Sequence, residues 1–223
     1  MPLNKSTGNM YDFITHTWNT TKGECPHSCS YCYMHRWGKQ PKLHFDEKEL
    51  KTNLGKNNFI FVGSSCDMFA EDIPEEWILS TFEKCANNKD NKYFFQSKNP
   101  RRMIRMLKNV SFDYCICTTI ETNRTYPEIM NNSPSVSERM IAFSANNNIE
   151  KYVTIEPIID FDLPELVEII KSCHPVQVNI GADSGRNNLP EPSKEKVIAL
   201  IEELGKFTVI ANKKNLNRII NER

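Results

Sequence analysis

Three cysteines, Cys25, Cys29 and Cys32, stand within eight residues near the start of the chain. Their Cys-x3-Cys-x2-Cys spacing, with Pro26 inside it, predicts an irregular loop that can wrap one compact metal centre. Thiolates are soft ligands that suit iron–sulfur clusters, zinc or copper(I). A cubane cluster normally takes four cysteine ligands. Three local thiols would therefore leave one iron open for a ligand that is not protein.

A structural zinc site is the alternative, because such sites are usually closed by four cysteine or histidine ligands. His27 or His35 could supply the fourth ligand. The sequence contains no second Cys-x2-Cys pair, and Cys115-x-Cys117 has the wrong spacing for one. The pattern favours an open iron–sulfur site over zinc.

The elements that must position this loop alternate along the chain. Apolar runs predict strands at 13–18, 58–63, 92–97, 113–121, 151–157, 175–181 and 207–211. Helical periodicity predicts helices at 45–54, 74–85, 100–107, 135–146, 163–173 and 193–204. Such alternation indicates βαβ units and an α/β fold with a parallel sheet. The count fits six or seven units, fewer than the eight of a full barrel. Residues 1–10 are expected to be a poorly fixed N-terminus.

Side-chain alternation assigns one face of each strand to the helices and the other to a barrel lumen. On strand 113–121, the face that carries Ile116 and Ile120 should meet the helices. Side chains predicted to line the lumen near the C-terminal strand ends are Gln96, Lys98, Cys117, Thr119, Glu121, Thr154, Glu156, Gln177 and Asn179. Buried charge without partners is costly, so a ligand site is expected there. The alternative is that Lys98 forms structural ion pairs with Glu121 or Glu156.

Composition narrows the class of protein. The 223 residues carry 28 Lys and Arg against 28 Asp and Glu, so the formal net charge is zero. This balance is unlike that of a strongly basic protein that coats nucleic acid. A local stripe of basic residues can nevertheless be enough to bind a polynucleotide. The start of the chain lacks the apolar core of a signal peptide, and no apolar run could span a bilayer. The eight cysteines are expected to be reduced thiols, and the expected location is the cytoplasm.

The motif Cys25-x3-Cys29-x-Tyr31-Cys32 resembles the signature of the radical S-adenosylmethionine (radical SAM) superfamily. The resemblance implies a partial (β/α)6 TIM-like barrel with parallel strands in a single domain. That domain would fill residues 1–223, with 1–10 as an N-terminal extension and 205–223 as a C-terminal strand and tail. It also implies that the three cysteines bind a [4Fe-4S] cluster whose fourth iron is chelated by S-adenosylmethionine. Tyr31 would lie near the adenine.

Later segments extend the likeness over roughly residues 11 to 190. They are 61–69, 96–100, 118–122, 133–135 with Arg139, and 154–157. Together they resemble a phage-associated radical SAM family of unassigned function and, more loosely, the spore photoproduct lyase group. In that group a serine, a lysine and a serine or threonine after successive strands contact the cofactor. The matching positions here are Ser64 or Ser65, Lys98, and Thr118 or Thr119, and lumen polarity favours Thr119.

Further roles follow from the same resemblance. Glu121, Glu156 and Asn179 are candidates for orienting ribose or substrate, and Cys66 and Cys117 are candidate hydrogen-atom donors. The chain is much shorter than the lyase, which puts that repair reaction in doubt. Arg186, in the polar segment 183–188, could bind an anionic substrate group. The basic stretch 98–105 could follow a nucleic-acid backbone, although such a run is more often a solvated helix face.

Three functions remain open at this point. The first is radical SAM chemistry on a nucleotide or nucleic acid, with an external electron donor of the flavodoxin or ferredoxin type. The second is the same chemistry on a small metabolite or peptide. The third is a non-catalytic zinc or iron module that binds a partner. The sequence does not set the oligomeric state.

Overall fold

A computed structural model describes residues 2–145 and 148–221, and a single mostly parallel sheet forms its centre. The eight strands of the sheet are β1 (Asn4–Lys5), β2 (His16–Trp18), β5 (Phe59–Val62), β6 (Lys92–Gln96), β7 (Asp113–Thr119), β8 (Lys151–Ile155), β9 (Gln177–Ile180) and β10 (Val209–Asn212). They lie side by side in that order. Only β1 runs antiparallel to its neighbour. The remaining pairs are parallel, as the alternating pattern predicts.

Helices connect the parallel strands and cover one face of the sheet. They are α1 (Glu75–Ala86), α2 (Pro100–Leu107), α3 (Pro127–Met130), α4 (Val136–Ser144), α5 (Leu163–Ser172), α6 (Lys194–Leu204) and α7 (Asn217–Ile220). The crossovers between strands are the connections that parallel pairs require. The arrangement is a partial TIM-like barrel, which confirms the predicted fold class.

The two faces of the sheet divide as the alternation predicts. Ile116, Ile120 and Val178 lie in the main apolar core with residues of the covering helices, such as Leu166 and Leu200. Burial of such side chains supplies the main driving force for folding. The opposite face looks into the lumen, and its cysteines and aromatic rings belong to a separate cluster.

The N-terminal segment is fixed, contrary to the prediction for residues 1–10. Asn4 and Lys5 pair with Thr17 and His16 of β2. Asn9 donates from Nδ2 to Glu156 Oε1 over 2.7 Å. The segment has no helix or strand period of its own, so these tertiary contacts, rather than local pattern, determine its position.

Residues that follow the N-terminal strand close the lower part of the lumen. The stacked rings of Tyr11 and Phe13 lie 5.5 Å apart and contact the inward-facing ring of Phe94. We call the aromatic cluster of residues 11, 13, 59, 61, 94 and 152 the floor. Because these rings fill the interior, the barrel is packed at this end.

Several boundaries differ from the prediction. Strand β2 is shorter than 13–18, because Phe13 belongs to the floor. The expected helix at 45–54 is a short 3₁₀ helix, Glu47–Lys51, although Asp46 does cap it by accepting from the Lys48 amide. The segment before it forms β4 (His44–Phe45), which pairs with β3 (Thr21–Lys22). Residue 146, the predicted end of the fourth helix, lies outside the described residues.

No helix in the ranges 2–145 and 148–221 has the length and hydropathy needed to cross a membrane.

Candidate functional site

The cysteines lie on one long excursion between β3 and β4. At its base Lys22 pairs with Asp46 and Glu49 over 2.8 and 2.7 Å. Gly23 has φ +101, and a Cβ there would stand 2.5 Å from the carbonyl oxygen of Lys42. Only glycine permits this close approach of two backbones without strain. The base of the excursion is therefore closed, which holds the cysteine loop over the C-terminal ends of the strands.

Tight turns shape the loop that carries the three cysteines. The amide of Ser28 donates to the Cys25 carbonyl over 3.0 Å, and that of Cys32 to the Cys29 carbonyl over 3.1 Å. Cys29 is buried, with its Sγ 3.3 Å from Ser133 Oγ, whereas Cys25 and Cys32 are half-buried. In the described ranges no three His, Cys, Asp or Glu side chains converge on one ion. A cubane binds each thiolate through a different iron, so it does not need such convergence.

The neighbouring histidine contacts a carboxylate. His27 Nε2 lies 2.8 Å from Asp67 Oδ2, and both residues are largely buried. The same oxygen of Asp67 accepts from Ser97 Oγ over 2.9 Å and from the Lys98 amide over 2.8 Å. Burial alone would raise the pKa of Asp67, but His27 more than offsets it and the pKa is lowered. Asp67 thus joins the cysteine loop to the ends of β5 and β6, and His27 has a structural partner. His35, the other histidine considered as a zinc ligand, is exposed.

A hydrogen bond from Tyr31 joins the loop to a buried ion pair just after β7. The Tyr31 hydroxyl donates to Glu121 Oε1 in a short hydrogen bond. Glu121 Oε2 accepts from Arg139 Nη1 over 2.7 Å, and both side chains are fully buried. Lys98 Nζ lies 3.9 Å from Glu121 Oε1 and 5.3 Å from the centre of the Tyr31 ring. Burial would raise the pKa of Glu121, but the charges of Arg139 and Lys98 outweigh it, so the pKa of this carboxyl is lowered.

Amides and hydroxyls line the lumen above the floor. The Tyr11 hydroxyl donates to Gln96 Oε1 over 2.8 Å, and Gln96 Nε2 donates to Thr119 Oγ1 over 3.1 Å. Asn179, which is only 2% exposed, accepts from Gln177 at Oδ1 over 2.8 Å. Its Nδ2 has no partner among the described residues. An unpaired buried donor is costly, so this atom is suited to a ligand acceptor.

The two predicted serines lie at the end of β5, at the edge of the site. Ser64 Oγ donates to Asn19 Oδ1 over 3.2 Å, and the Ser65 amide donates to the same oxygen over 3.0 Å. The Ser64 carbonyl accepts from the Tyr33 hydroxyl over 2.8 Å. Both serines are half-buried. Their backbone therefore supports the segment that follows Cys32.

The two candidate hydrogen donors occupy different places. Cys66 is buried, and its neighbour Cys25, together with burial, raises the pKa of its thiol. Cys117 packs in the floor cluster with Tyr11 and Phe94, where burial raises the pKa of its thiol. The structure thus puts Cys66 next to a predicted cluster ligand and Cys117 among apolar rings.

Neither Glu156 nor Arg186 contacts Tyr31 or Glu121 in the described parts of the chain. Glu156 forms an ion pair with Lys213 over 2.7 Å and accepts from Asn215 over 2.9 Å. Arg186 is exposed in the loop after β9, with φ 52. The carboxylate of Glu156 is therefore engaged in fixing the C-terminal segment.

The basic stretch 98–105 is mostly structural. Arg102 is buried and donates to the carbonyls of Glu71 and Ile73 over 2.8 and 2.5 Å. Arg105 pairs with Glu75 over 2.6 Å. A cleft of about 350 Å³ lies outside the cysteine loop, and its lining includes Pro26, Arg101 and Ser133. Arg101 is the one arginine of this stretch that faces the cleft, so the stretch does not form a continuous basic stripe.

Sequence reasoning did not single out Asp67 or Asn19. Asp67 lies shortly after the apolar strand β5, beyond the residues Gly63 to Cys66. A carboxylate near the end of a strand is the sequence signal that could have identified it as a site residue. Asn19 directly follows β2, and its side-chain oxygen accepts from Ser64 and Ser65 just after β5. Arg139 entered the sequence analysis only as part of the family resemblance. Its ion pair with Glu121 joins α4 to the segment after β7, and no local sequence pattern connects these two elements.

Comparison with known proteins gives one family and one fold. The sequence matches, over residues 9–192, the family described as "Protein of unknown function (DUF5131)". A comparison with curated proteins finds no match.

Solved structures of spore photoproduct lyase share the fold. A cysteine-to-serine mutant superposes with a TM-score of 0.58 at 12% identity, covering 91% of this chain and 64% of that one. A double mutant with bound AdoMet and dinucleoside spore photoproduct gives 0.57 at 11% identity, covering 92% and 66%. The chain therefore spans slightly less than two thirds of those structures.

Proposed function

The chain belongs to the DUF5131 family of proteins of unknown function, and we propose that it is a radical S-adenosylmethionine enzyme. The observation that carries the proposal is the placement of three cysteines on one anchored loop beside a polar lumen. Ligands of TIM-like barrels bind at the C-terminal strand ends, which is where this loop lies. The likeness to spore photoproduct lyase supports the same reading at the level of the fold.

The residues present fit a cubane cluster with one open iron. The loop offers three thiols, and the adjacent His27 is already bound by Asp67. Lys98 is a nearly buried cation whose nearest carboxylate oxygen stands 3.9 Å away, and Asn179 keeps an unpaired donor. These groups suit an anionic and hydrogen-bonding cofactor such as S-adenosylmethionine. When bound, the [4Fe-4S] cluster would supply the electron that cleaves this cofactor to methionine and a 5′-deoxyadenosyl radical, which abstracts hydrogen from a substrate.

The chain's own residues would hold and orient the cofactor. Lys98 would donate to its carboxylate, and Thr119 and Ser64 would bond ribose hydroxyls. The ring of Tyr31 would lie against the adenine, since its hydroxyl is held by Glu121. The floor excludes water from the lower lumen by filling it. Cofactor enzymes rely on the protein for this orientation and exclusion, while the cofactor carries the chemistry.

We infer a nucleotide or nucleic acid as the substrate, and a small metabolite or peptide is the alternative. Cys66 is the better candidate for a hydrogen donor, because it lies beside the cysteine loop, whereas Cys117 is enclosed by the floor. Arg186 would contact an anionic group of the substrate at the polar upper end of the lumen, beside the cysteine loop, which we call the mouth. An external one-electron donor is required, since the chain offers no second redox centre of its own in this proposal.

Anaerobic reconstitution tests the proposal. The wild-type chain should bind about four irons and release 5′-deoxyadenosine when dithionite and S-adenosylmethionine are added. Cys29→Ala should lose both, and Cys85→Ala, which removes a buried thiol of α1, should keep both. One tightly held zinc with no cofactor cleavage would instead identify a non-catalytic metal module.

A further inference from the structure

An exposed tryptophan stands directly beyond the cysteine loop. Trp37 is 71% exposed at the end of the 3₁₀ helix Tyr33–Trp37, which begins one residue after Cys32. Tryptophan side chains are highly buried on average, so an indole this open is unusual. We call residues 33–42 the flap.

Hydrogen bonds fix the backbone of the flap on both sides of Trp37. The Tyr33 hydroxyl anchors it to the Ser64 carbonyl over 2.8 Å, at the end of β5. Arg36 donates from Nε to the Tyr33 carbonyl over 3.2 Å, and Gln40 Nε2 donates to the carbonyls of Met34 and Gly38 over 3.2 and 3.1 Å. Because the backbone of the flap is already ordered, a partner that covers Trp37 would lose little conformational entropy in fixing this segment.

The flap is also a local concentration of positive charge in a chain of zero net charge. No aspartate or glutamate occurs between Glu24 and Asp46, whereas Arg36, Lys39 and Lys42 all lie there. All three are exposed, and no ion pair between them and an acidic side chain is found in the described parts of the chain. The stretch 98–105 differs, because Arg102 is buried and Arg105 is paired, which leaves Arg101 as the exposed arginine without an ion pair in the described residues.

The position of the flap relates it to the candidate site. It follows the third cysteine and bonds to the strand end at Ser64, so it lies at the mouth of the lumen. The exposed Arg186 belongs to a loop at the same end of the sheet. A polyanion lying on the flap would therefore pass beside the mouth.

We propose that the flap is a docking surface for single-stranded nucleic acid, with Trp37 stacking on a base and Arg36, Lys39 and Lys42 contacting phosphates. Surfaces of this kind combine aromatic stacking platforms with cations that follow the backbone. Exposed apolar surfaces that mark protein-binding sites are typically larger and contiguous, and here the exposed rings are Trp37 and the partly exposed Tyr33, which stand among cations. Stacking requires an unpaired base, which favours a single strand over a duplex. The inference deepens the proposed function, on which it rests for the site that the strand reaches.

Fluorescence anisotropy of a labelled oligothymidylate, titrated with the full chain at several salt concentrations, tests this surface. Trp37→Ala should weaken binding at least about fivefold, the low end for loss of one stacked base. Trp37→Phe should restore most of it, because a ring remains. Neutralising Arg36, Lys39 and Lys42 together to alanine should reduce the slope of log affinity against log salt by about 2, at about 0.7 for each phosphate contact.

Matched controls use surface residues elsewhere. Phe207→Ala removes another exposed ring, and alanine at Lys5, Lys89 and Lys108 removes an equal number of exposed charges. Both controls should bind like the wild type. Equal loss in the controls, or undiminished binding by Trp37→Ala, would overturn the proposal. The proposal would also be overturned if the wild-type chain did not bind the oligonucleotide but bound a small acidic flavoprotein through Trp37.

Iron content and 5′-deoxyadenosine release are measured on the same samples. Normal cleavage without Trp37-dependent binding would overturn the docking surface alone. Trp37-dependent binding without any cleavage would overturn the proposed chemistry and support the surface.

Discussion

The two halves of the lumen are built from the same strands but have opposite character. Below, the floor packs rings such as Phe94 against Tyr11 and Phe13. Above, Gln96 is the next inward position after Phe94 on β6, and Thr119 is the next after Cys117 on β7; these two side chains bond to each other. Two residues along a strand thus separate a dry core from a polar mouth. The upper lumen therefore keeps polar atoms such as Asn179 Nδ2 available for a ligand, while the floor below it is filled by packed rings.

The largest effect should come from emptying the floor. Phe94→Ala removes a fully buried ring that contacts Tyr11, Phe13, Phe61 and Tyr152. Loss of a core phenylalanine costs about 3–5 kcal/mol, and urea unfolding would measure it. Cofactor affinity of the molecules that remain folded should change little. A Phe94→Ala variant with a large loss of cofactor affinity and an unchanged free energy of unfolding would show that the floor and the mouth do not have separate roles.

The next effect concerns the buried ion pair between Glu121 and Arg139. Glu121→Gln leaves Arg139 as a buried charge without its anion, which should cost about 3 kcal/mol. The pKa of Glu121 is lowered in the folded chain, so its contribution is complete above the unfolded pKa and is lost as pH falls through the folded pKa. The gap between wild type and Glu121→Gln in urea unfolding should therefore shrink on acidification below about pH 4.3. A gap that stays constant would contradict the role of this carboxylate.

A smaller effect separates the two faces of a single strand. Thr118 Oγ1 donates to the Ser97 carbonyl over 2.8 Å on the helix side, whereas Thr119 Oγ1 faces the lumen. Thr118→Val should cost about 1 kcal/mol of stability and leave S-adenosylmethionine affinity unchanged. Thr119→Val should weaken cofactor binding a few-fold with little loss of stability. Equilibrium dialysis and urea unfolding on both variants would measure the contrast, and an identical response would refute the assignment of faces.

The sequence predicted the parts of the fold that have a local period. Ile116 and Ile120 repeat at strand spacing, and the side facing the helices follows from that alone. The floor escaped prediction because Tyr11 lay outside every predicted element and Phe13 was assigned to a strand, whereas their insertion depends on rings from later strands. At the site, the cysteine spacing was visible in the chain. The bond between Tyr31 and Glu121 was not, since the two residues are 90 positions apart.

Electron paramagnetic resonance of the reduced, reconstituted chain, recorded with and without S-adenosylmethionine, tests the central claim most directly. Three cysteine ligands leave one iron open, so the account predicts a [4Fe-4S]⁺ signal whose g values shift when the cofactor binds. A signal that is identical with and without the cofactor, at full cluster occupancy, would contradict it.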